Sequence, residues 1–266
     1  MDQHNIVLDK ASQESLISVR RWSDKLITFR ITRPSAYHFV PGQFSRLGLQ
    51  VDGAMVWRAY SITSAQQEQE LEYYAVIVPQ GLFSSALKQL RPGDPVWLEK
   101  LSYGFMTVDR FADGEDFWML ATGTGLGPYL TILQQPEVWQ RFRHLVLVHG
   151  VRQIAELSYQ DQLCALRDQA RALQLPATLH LVQATTREAQ LPRSDGVTAL
   201  HGRVTTLLSD GSLEREVGLD INAEKSRLMA CGNPDMVTEM RELLRQRGLS
   251  PCRRNAGGQF ITEDYW

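Results

Sequence analysis

Near residue 110 the chain changes rhythm, and that change constrains its fold more than any other feature. Up to about Leu101 the pattern is one of short alternating stretches, at residues 16–21, 26–32, 43–50, 56–63, 71–78 and 95–99. They are broken by turn chemistry at Arg33-Pro34-Ser35, Pro41-Gly42, Asp52-Gly53 and Pro92-Gly93-Asp94. Short strands at such regular spacing predict an antiparallel barrel. One helix interrupts them, over residues 82–90, with apolar side chains at helical spacing behind Gly81 and a capping serine. A helix set into a barrel can turn its unpaired N–H groups on a pyrophosphate. Residues 110–116 are polar and read as a linker. Beyond them, apolar runs at 117–121, 145–149, 178–182 and 228–230 alternate with helical patterns at 128–134, 159–173, 204–208 and 235–246. Buried parallel strands read as continuous apolar runs, and their alternation with helices is the mark of a doubly wound α/β domain. The expected division is thus an antiparallel β-barrel over residues 1–109 and an α/β domain with a parallel sheet over 110–266. Residues 187–201 read as an irregular excursion, and no internal repeat is visible.

Three short segments place chemistry at the ends of these elements. Gly123-Thr124-Gly125-Leu126-Gly127-Pro128 follows a buried strand and opens a helix, the context of a phosphate-binding loop. It departs from the dinucleotide fingerprint at Pro128, which stands where a third glycine is expected. Proline in a first helical turn lacks only an N–H that would be unpaired anyway. The NAD fingerprint also expects an acid about 20 residues later, at the end of the second strand. Here that strand ends Val148-His149-Gly150-Val151-Arg152, with an arginine in the acid's place. The third ends Ala184-Thr185-Thr186-Arg187, and Arg203 follows at the start of the next helix. Cations at successive strand ends favour the adenosine 2′-phosphate of NADP. Earlier in the chain, Arg58-Ala59-Tyr60-Ser61 sits on an alternating segment, which predicts Arg58 and Tyr60 on one sheet face and Ala59 and Ser61 on the other. An arginine suits a pyrophosphate, a tyrosine an isoalloxazine ring, and a serine hydroxyl a ring nitrogen. In isolation, a half-exposed barrel strand explains the same four residues. Cys231-Gly232-Asn233-Pro234 closes another buried strand, where a cysteine is also simply a small buried apolar residue.

Read in order, these segments resemble the ferredoxin–NADP reductase family. Pro41-Gly42-Gln43-Phe44, Tyr74 and Gly81-Leu82-Phe83-Ser84 add to the resemblance, and the ending Phe260-Ile261-Thr262-Glu263-Asp264-Tyr265-Trp266 resembles its bacterial branch. The likeness spans about residues 16–266 and is weakest over 187–203. It implies a flavoenzyme that moves electrons between NADPH and a one-electron carrier protein, ferredoxin or flavodoxin. The step implied is hydride transfer between nicotinamide C4 and N5 of FAD. By the same resemblance Arg58, Ala59, Tyr60, Ser61, Tyr74, Leu82, Phe83, Ser84 and Thr124 line the FAD, and Tyr265 and Trp266 return to stack on it. Gly123, Gly125, Pro128, Val151, Arg152, Thr186, Arg187, Arg203, Asn233, Pro234 and Asp235 are the implied NADP contacts. Ser61 and Cys231 are the implied catalytic pair, positioning the nicotinamide and serving as neither nucleophile nor strong acid.

Composition bears on the partners. The cysteines are Cys164, Cys231 and Cys252, scattered and without metal-ligand spacing. A plant-type iron–sulfur cluster needs four thiolates, so the one-electron carrier has to be a separate protein. A formal net charge of -2 gives no general affinity for nucleic acid or membrane. The polar start Met1-Asp2-Gln3-His4-Asn5 lacks a signal-peptide pattern, and no apolar run nears the roughly 20 residues that span a bilayer. The expectation is a cytoplasmic, monomeric enzyme with FAD and NADP(H) and no metal. Any basic surface for an acidic carrier must be local, with Arg46, Lys100, Arg253 and Arg254 as candidates. Two rivals stay open: a flavin or quinone reductase on the same scaffold, and a flavin-binding redox sensor without turnover.

Overall fold

The computed structural model describes residues 10–189, 195–254 and 256–264. Its contacts divide the chain into two units, one ending at Thr107 and the next beginning at Val108.

The first unit contains β1 (Ala11–Arg21), β2 (Leu26–Thr32), β3 (Phe44–Val51), β4 (Ala54–Ser61), β5 (Glu70–Val76), the helix α1 (Leu82–Gln89) and β6 (Pro95–Tyr103). The strands are antiparallel in the order β4-β3-β6-β1-β2-β5. Past the end of β4, an Ile62–Tyr73 bridge and a hydrogen bond from Thr63 N–H to the Glu72 carbonyl (2.8 Å) bring the two edges together. The predicted turn at Asp52-Gly53 links β3 to β4 with φ of 49° and 80°, a two-residue hairpin that glycine makes inexpensive. Ile27, Phe29, Ile31, Leu47, Leu71, Tyr73 and Leu98 fill the interior. Within it the Tyr37, Ser45 and Tyr73 hydroxyls form a chain at 2.7 and 2.9 Å. Burial pushes the Tyr37 phenol up to about 12. The helix begins on Gly81 with no side-chain cap. The expected capping serine does other work: Ser84 Oγ accepts the Val78 N–H and donates to the Val78 carbonyl, both at 3.1 Å, pinning the preceding loop to the helix.

The second unit contains β7 (Asp116–Thr122), α2 (Gly127–Leu133), α3 (Pro136–Arg141), β8 (His144–Val151), α4 (Gln160–Ala172), β9 (Thr178–Thr185), β10 (Val197–His201), α5 (Val204–Ser209), α6 (Ser212–Val217), β11 (Ser226–Gly232), α7 (Pro234–Gln246) and β12 (Phe260–Asp264). The sheet is parallel, in the order β10-β9-β8-β7-β11-β12. The chain steps outward from β7 to β10 and then returns to β11 on the other side. That reversal creates a switch point between the carboxyl ends of β7 and β11, where open α/β sheets bind ligands. Trp118, Leu120, Val146, Val148 and Val182 pack with Leu207, Leu208, Val237 and Met240 as one core. No helix among the described residues is long and apolar enough to cross a membrane.

Three local readings need correction. Residues 187–201 are not irregular throughout, because Val197–His201 is an edge strand in register with β9. Its side chains are half-buried or exposed, so it shows no apolar run. The terminal strand β12 was not anticipated either; it is short, and only Phe260 and Ile261 are buried. The polar stretch 110–116 is tied down: buried Arg227 donates from Nε to Asp113 at 2.9 Å, and a side chain at Gly114 would collide with that arginine.

Candidate functional site

In the barrel unit the candidate residues gather on β4, β5 and α1. Arg58 and Ala59 are exposed, Tyr60 is half-buried, and Ser61 is buried. The register with β3 keeps the expected two-face alternation, with Arg58 and Tyr60 opposite buried Leu47 and Ser45 and Ala59 opposite exposed Arg46, while burial rises toward Ser61. β4 is an edge strand, and its end runs into the closure at Ile62–Tyr73. The Tyr60 ring packs edge-on to Phe29 at 5.8 Å and tilted on Phe83 at 5.4 Å, and burial raises its phenol pKa. Tyr74 and Phe83 are buried, whereas Leu82 is 57% exposed. Arg58 donates to the Trp57 carbonyl at 2.7 Å and, among the described residues, meets no carboxylate. The Ser61 Oγ is buried without a hydrogen-bond partner among the described residues.

In the α/β unit the centre is built from backbone. Gly123–Leu126 forms a single 3-10 turn that leads into α2, and Gly123 adopts φ 54°. Any side chain at Gly125 would collide with the Cys231 carbonyl, so the turn lies directly on the end of β11. A side chain at Gly232 (φ 141°) would strike Thr122, whose Oγ1 instead accepts the Asn233 N–H at 3.0 Å. Asn233 Oδ1 caps α7, accepting from Asp235 N–H at 2.9 Å and Met236 N–H at 3.3 Å. Pro128 and Pro234 occupy first-turn positions of their helices, as their missing N–H allows. Thr124 is half-buried, and Asp235 is exposed. Cys231 is fully buried and lies in register with Ala121 on one side and Glu263 on the other.

Two residues here escaped sequence reasoning because only strand register reveals them. One is Glu263, facing Cys231 across the β11–β12 pair. The other is His149 on β8, whose Nε2 lies 3.0 Å from the Gly123 carbonyl. A carbonyl only accepts, so Nε2 carries the proton. Burial lowers this imidazole to about 4, so the ring is neutral, and Nδ1 is buried without a partner among the described residues.

Toward the rim, the arginines leave three neighbouring strands. Thr186 N–H bonds the buried Val151's carbonyl at 3.1 Å and Arg187 N–H bonds that of Arg152 at 3.0 Å, so the ends of β8 and β9 run on together. Gly202 N–H bonds the Thr185 carbonyl at 2.9 Å, which brings Arg203 to the end of β10 as the N-cap residue of α5. Arg152, Thr186, Arg187 and Arg203 are all exposed. Arg187 and Arg203 have no ion-pair partner among the described residues, but Arg152 pairs with Glu156 at 2.8 Å. Of the proposed docking cations, Arg46 is bound to Glu99 at 2.8 Å, while Lys100, Arg253 and Arg254 are exposed. Tyr265 and Trp266 lie outside the described residues.

Comparison with known proteins covers both units. Residues 14–100 match the oxidoreductase FAD-binding domain family, and residues 119–242 match the oxidoreductase NAD-binding domain family. The chain is 36% identical over 255 residues to the ferredoxin–NADP reductase of Azotobacter vinelandii, covering 94% of this chain and 95% of that one. It is 39% identical over 221 residues to the flavodoxin/ferredoxin–NADP reductase of Escherichia coli K12, covering 83% and 84%. Among solved structures, a ferredoxin NADP+ reductase from Neisseria gonorrhoeae with bound FAD and NADP superposes with a TM-score of 0.88 at 37% identity, over 97% of this chain and 99% of that one.

Proposed function

The chain belongs to the ferredoxin–NADP reductase family, and from that premise we propose that it is an FAD enzyme exchanging electrons between NADPH and ferredoxin or flavodoxin. The observation that carries the flavin half is the Ser61 hydroxyl, buried and unpartnered among the described residues. Leaving such a group unsatisfied costs about 1–3 kcal/mol, and a flavin ring nitrogen is a partner of the right kind. Exposed Arg58, free of carboxylates among the described residues, suits the pyrophosphate, and the Tyr60 ring suits a flavin face. Bound FAD supplies the conversion between a hydride donor and a one-electron acceptor. What the protein supplies is alignment and exclusion of water.

On the nucleotide side, Arg152, Arg187 and Arg203 would receive the 2′-phosphate. The turn at Gly123–Leu126 and the Cys231–Asp235 segment would receive the parts of the nucleotide nearer the nicotinamide. Ser61 and Cys231 would position that ring. His149 takes no part as an acid, because it is neutral and its one N–H is held by Gly123. For an acidic carrier, the exposed Lys100, Arg253 and Arg254 are the candidate local cations, and Arg46 pairs with Glu99. A cytoplasmic location and a monomeric state belong to the same proposal, and the mass of the purified protein in solution checks the latter.

The decisive test follows NADPH oxidation by the FAD-loaded protein with ferredoxin, flavodoxin, free flavin or quinone as acceptor. Efficient reduction of a carrier protein is the expected result. Turnover with free flavin or quinone alone would convert the reading to a small-molecule reductase, and no turnover with any acceptor would leave the sensor.

A further inference from the structure

The turn that follows β8 is built around two carboxylates. Glu156 closes it from within. Its Oε2 accepts the backbone N–H of Arg152 at 2.9 Å and of Gln153 at 3.3 Å, while Oε1 accepts Nη2 of Arg152 at 2.8 Å. Gln153 answers from the other side, completing a capping box on the 3-10 turn Ile154–Glu156. Glu188, just beyond β9, reaches across to accept the Ile154 N–H at 2.5 Å. The Glu156 side chain is 18% exposed and that of Arg152 54% exposed, so the carboxylate lies behind the cation rather than in front of it.

A bare carboxylate beside a phosphate site would repel the ligand. Here the charge is already met by a guanidinium and two backbone N–H groups. Burial pushes the Glu156 carboxyl up, but hydrogen bonds and the charge of Arg152 outweigh that and hold it below the usual carboxylate range. It is therefore ionised at neutral pH. A guanidinium has five N–H donors in a fixed fork, and one contact to Glu156 leaves the outward edge for a ligand. An exposed arginine loses much rotamer freedom when it grips a phosphate, and a partner that has removed that freedom beforehand tightens binding.

We propose that Glu156 is a positioning residue for nucleotide choice: it holds Arg152 with its free edge toward the 2′-phosphate of NADP, on a turn that Glu188 anchors to β9. The inference rests on Arg152 being a 2′-phosphate ligand.

Calorimetric titration of the FAD-loaded protein with 2′-phospho-AMP and with 5′-AMP tests both layers. The variants are Arg152→Ala, Glu156→Gln and the two combined; glutamine keeps an oxygen for the backbone N–H groups and removes the charge. Glu156→Gln is expected to weaken 2′-phospho-AMP roughly 5-fold, leave 5′-AMP unchanged, and add nothing once Arg152 is gone. In turnover, KM for NADPH should rise with kcat unchanged, and NADH should be indifferent. If the glutamine variant does not fold, Glu156→Asp, which keeps the charge and shortens the reach, should show the same selective loss. An unchanged or tighter 2′-phospho-AMP complex would overturn the inference while leaving the pocket intact. Equal losses for both ligands would reduce Glu156 to a structural role. If Arg152→Ala itself fails to separate the two ligands, the pocket assignment falls, and the inference with it.

Discussion

The two units build their candidate sites by opposite means. On β4 and α1 the site is made of side chains whose packing fixes them: Tyr60 against Phe29 and Phe83, and Ser61 at the barrel closure. In the α/β unit the centre is made of backbone, with Gly125 on the Cys231 carbonyl and Gly232 against Thr122, and the charges stand outside in solvent. Packing offers a ring and a hydroxyl; strand ends and glycines offer N–H groups, close approach and exposed cations. A planar ring system is suited to the first, and a phosphate-rich nucleotide to the second.

The severest way to break this contrast is Gly125→Ala. The added methyl meets backbone, which cannot swing aside, so about 3 kcal/mol or more of stability should be lost. NADPH turnover should collapse while flavin absorbance is largely kept. Loss of FAD in parallel, measured by release on dilution, would mean that the turn, through Thr124, serves the flavin as much as the barrel does.

Next in size is the pH dependence of the α/β unit. The buried imidazole of His149 titrates at about 4, against an ordinary 6.5. Between those values the unfolded chain binds a proton that the folded one refuses. Stability should be level above about pH 6.5 and fall by up to about 3 kcal/mol as pH drops to 4. His149→Gln keeps an N–H for Gly123 and should remove that share of the slope. Urea midpoints of both proteins at neutral and acid pH give the answer, and identical slopes would refute it.

The arginines test the contrast directly. Arg58→Ala should weaken FAD by about 1.5–3 kcal/mol and leave the NADPH-to-NADH preference alone. Arg187→Ala should lower kcat/KM for NADPH roughly 10- to 100-fold, spare NADH and leave FAD bound. A variant that shifted both cofactors together would show that the sites are not independently built. The smallest expected effect is that of salt. Carrier reduction should slow a few-fold as added salt shortens the Debye length below about 8 Å, whereas an uncharged dye should not respond. A carrier rate insensitive to salt would count against docking through Lys100, Arg253 and Arg254.

How much of this was legible from the chain depends on the range of the interaction. Elements with a strong local period, such as Leu26–Thr32 and Pro234–Gln246, lie where the pattern predicts them, because one face or stripe is buried. The Asp52-Gly53 hairpin follows from turn chemistry alone. The edge strand β10 and the terminal strand β12 did not declare themselves, since an edge strand need not be apolar. At the sites, glycines and arginines could be read because their positions follow from strand ends. His149 and Glu263 could not, because their meaning lies in a neighbour 26 residues away or across a pair of strands, whereas Glu156 bonds only four residues back, to Arg152, and its spacing was simply not read. The alternation on β4 was legible, but how far each of its side chains is covered was not, since barrel closure is a long-range event.

The collision awaiting any side chain at Gly125 also says where this molecule can evolve. Gly125 tolerates no side chain, and on the proposed assignment the part of the dinucleotide resting there is one that NADH and NADPH have in common. The rim residues Arg152, Arg187 and Arg203 are solvent-exposed, and exchanging them disturbs no core. On that assignment, a switch of nucleotide would need only a few substitutions of surface residues at the ends of β8, β9 and β10, leaving the backbone turn beneath them as it is.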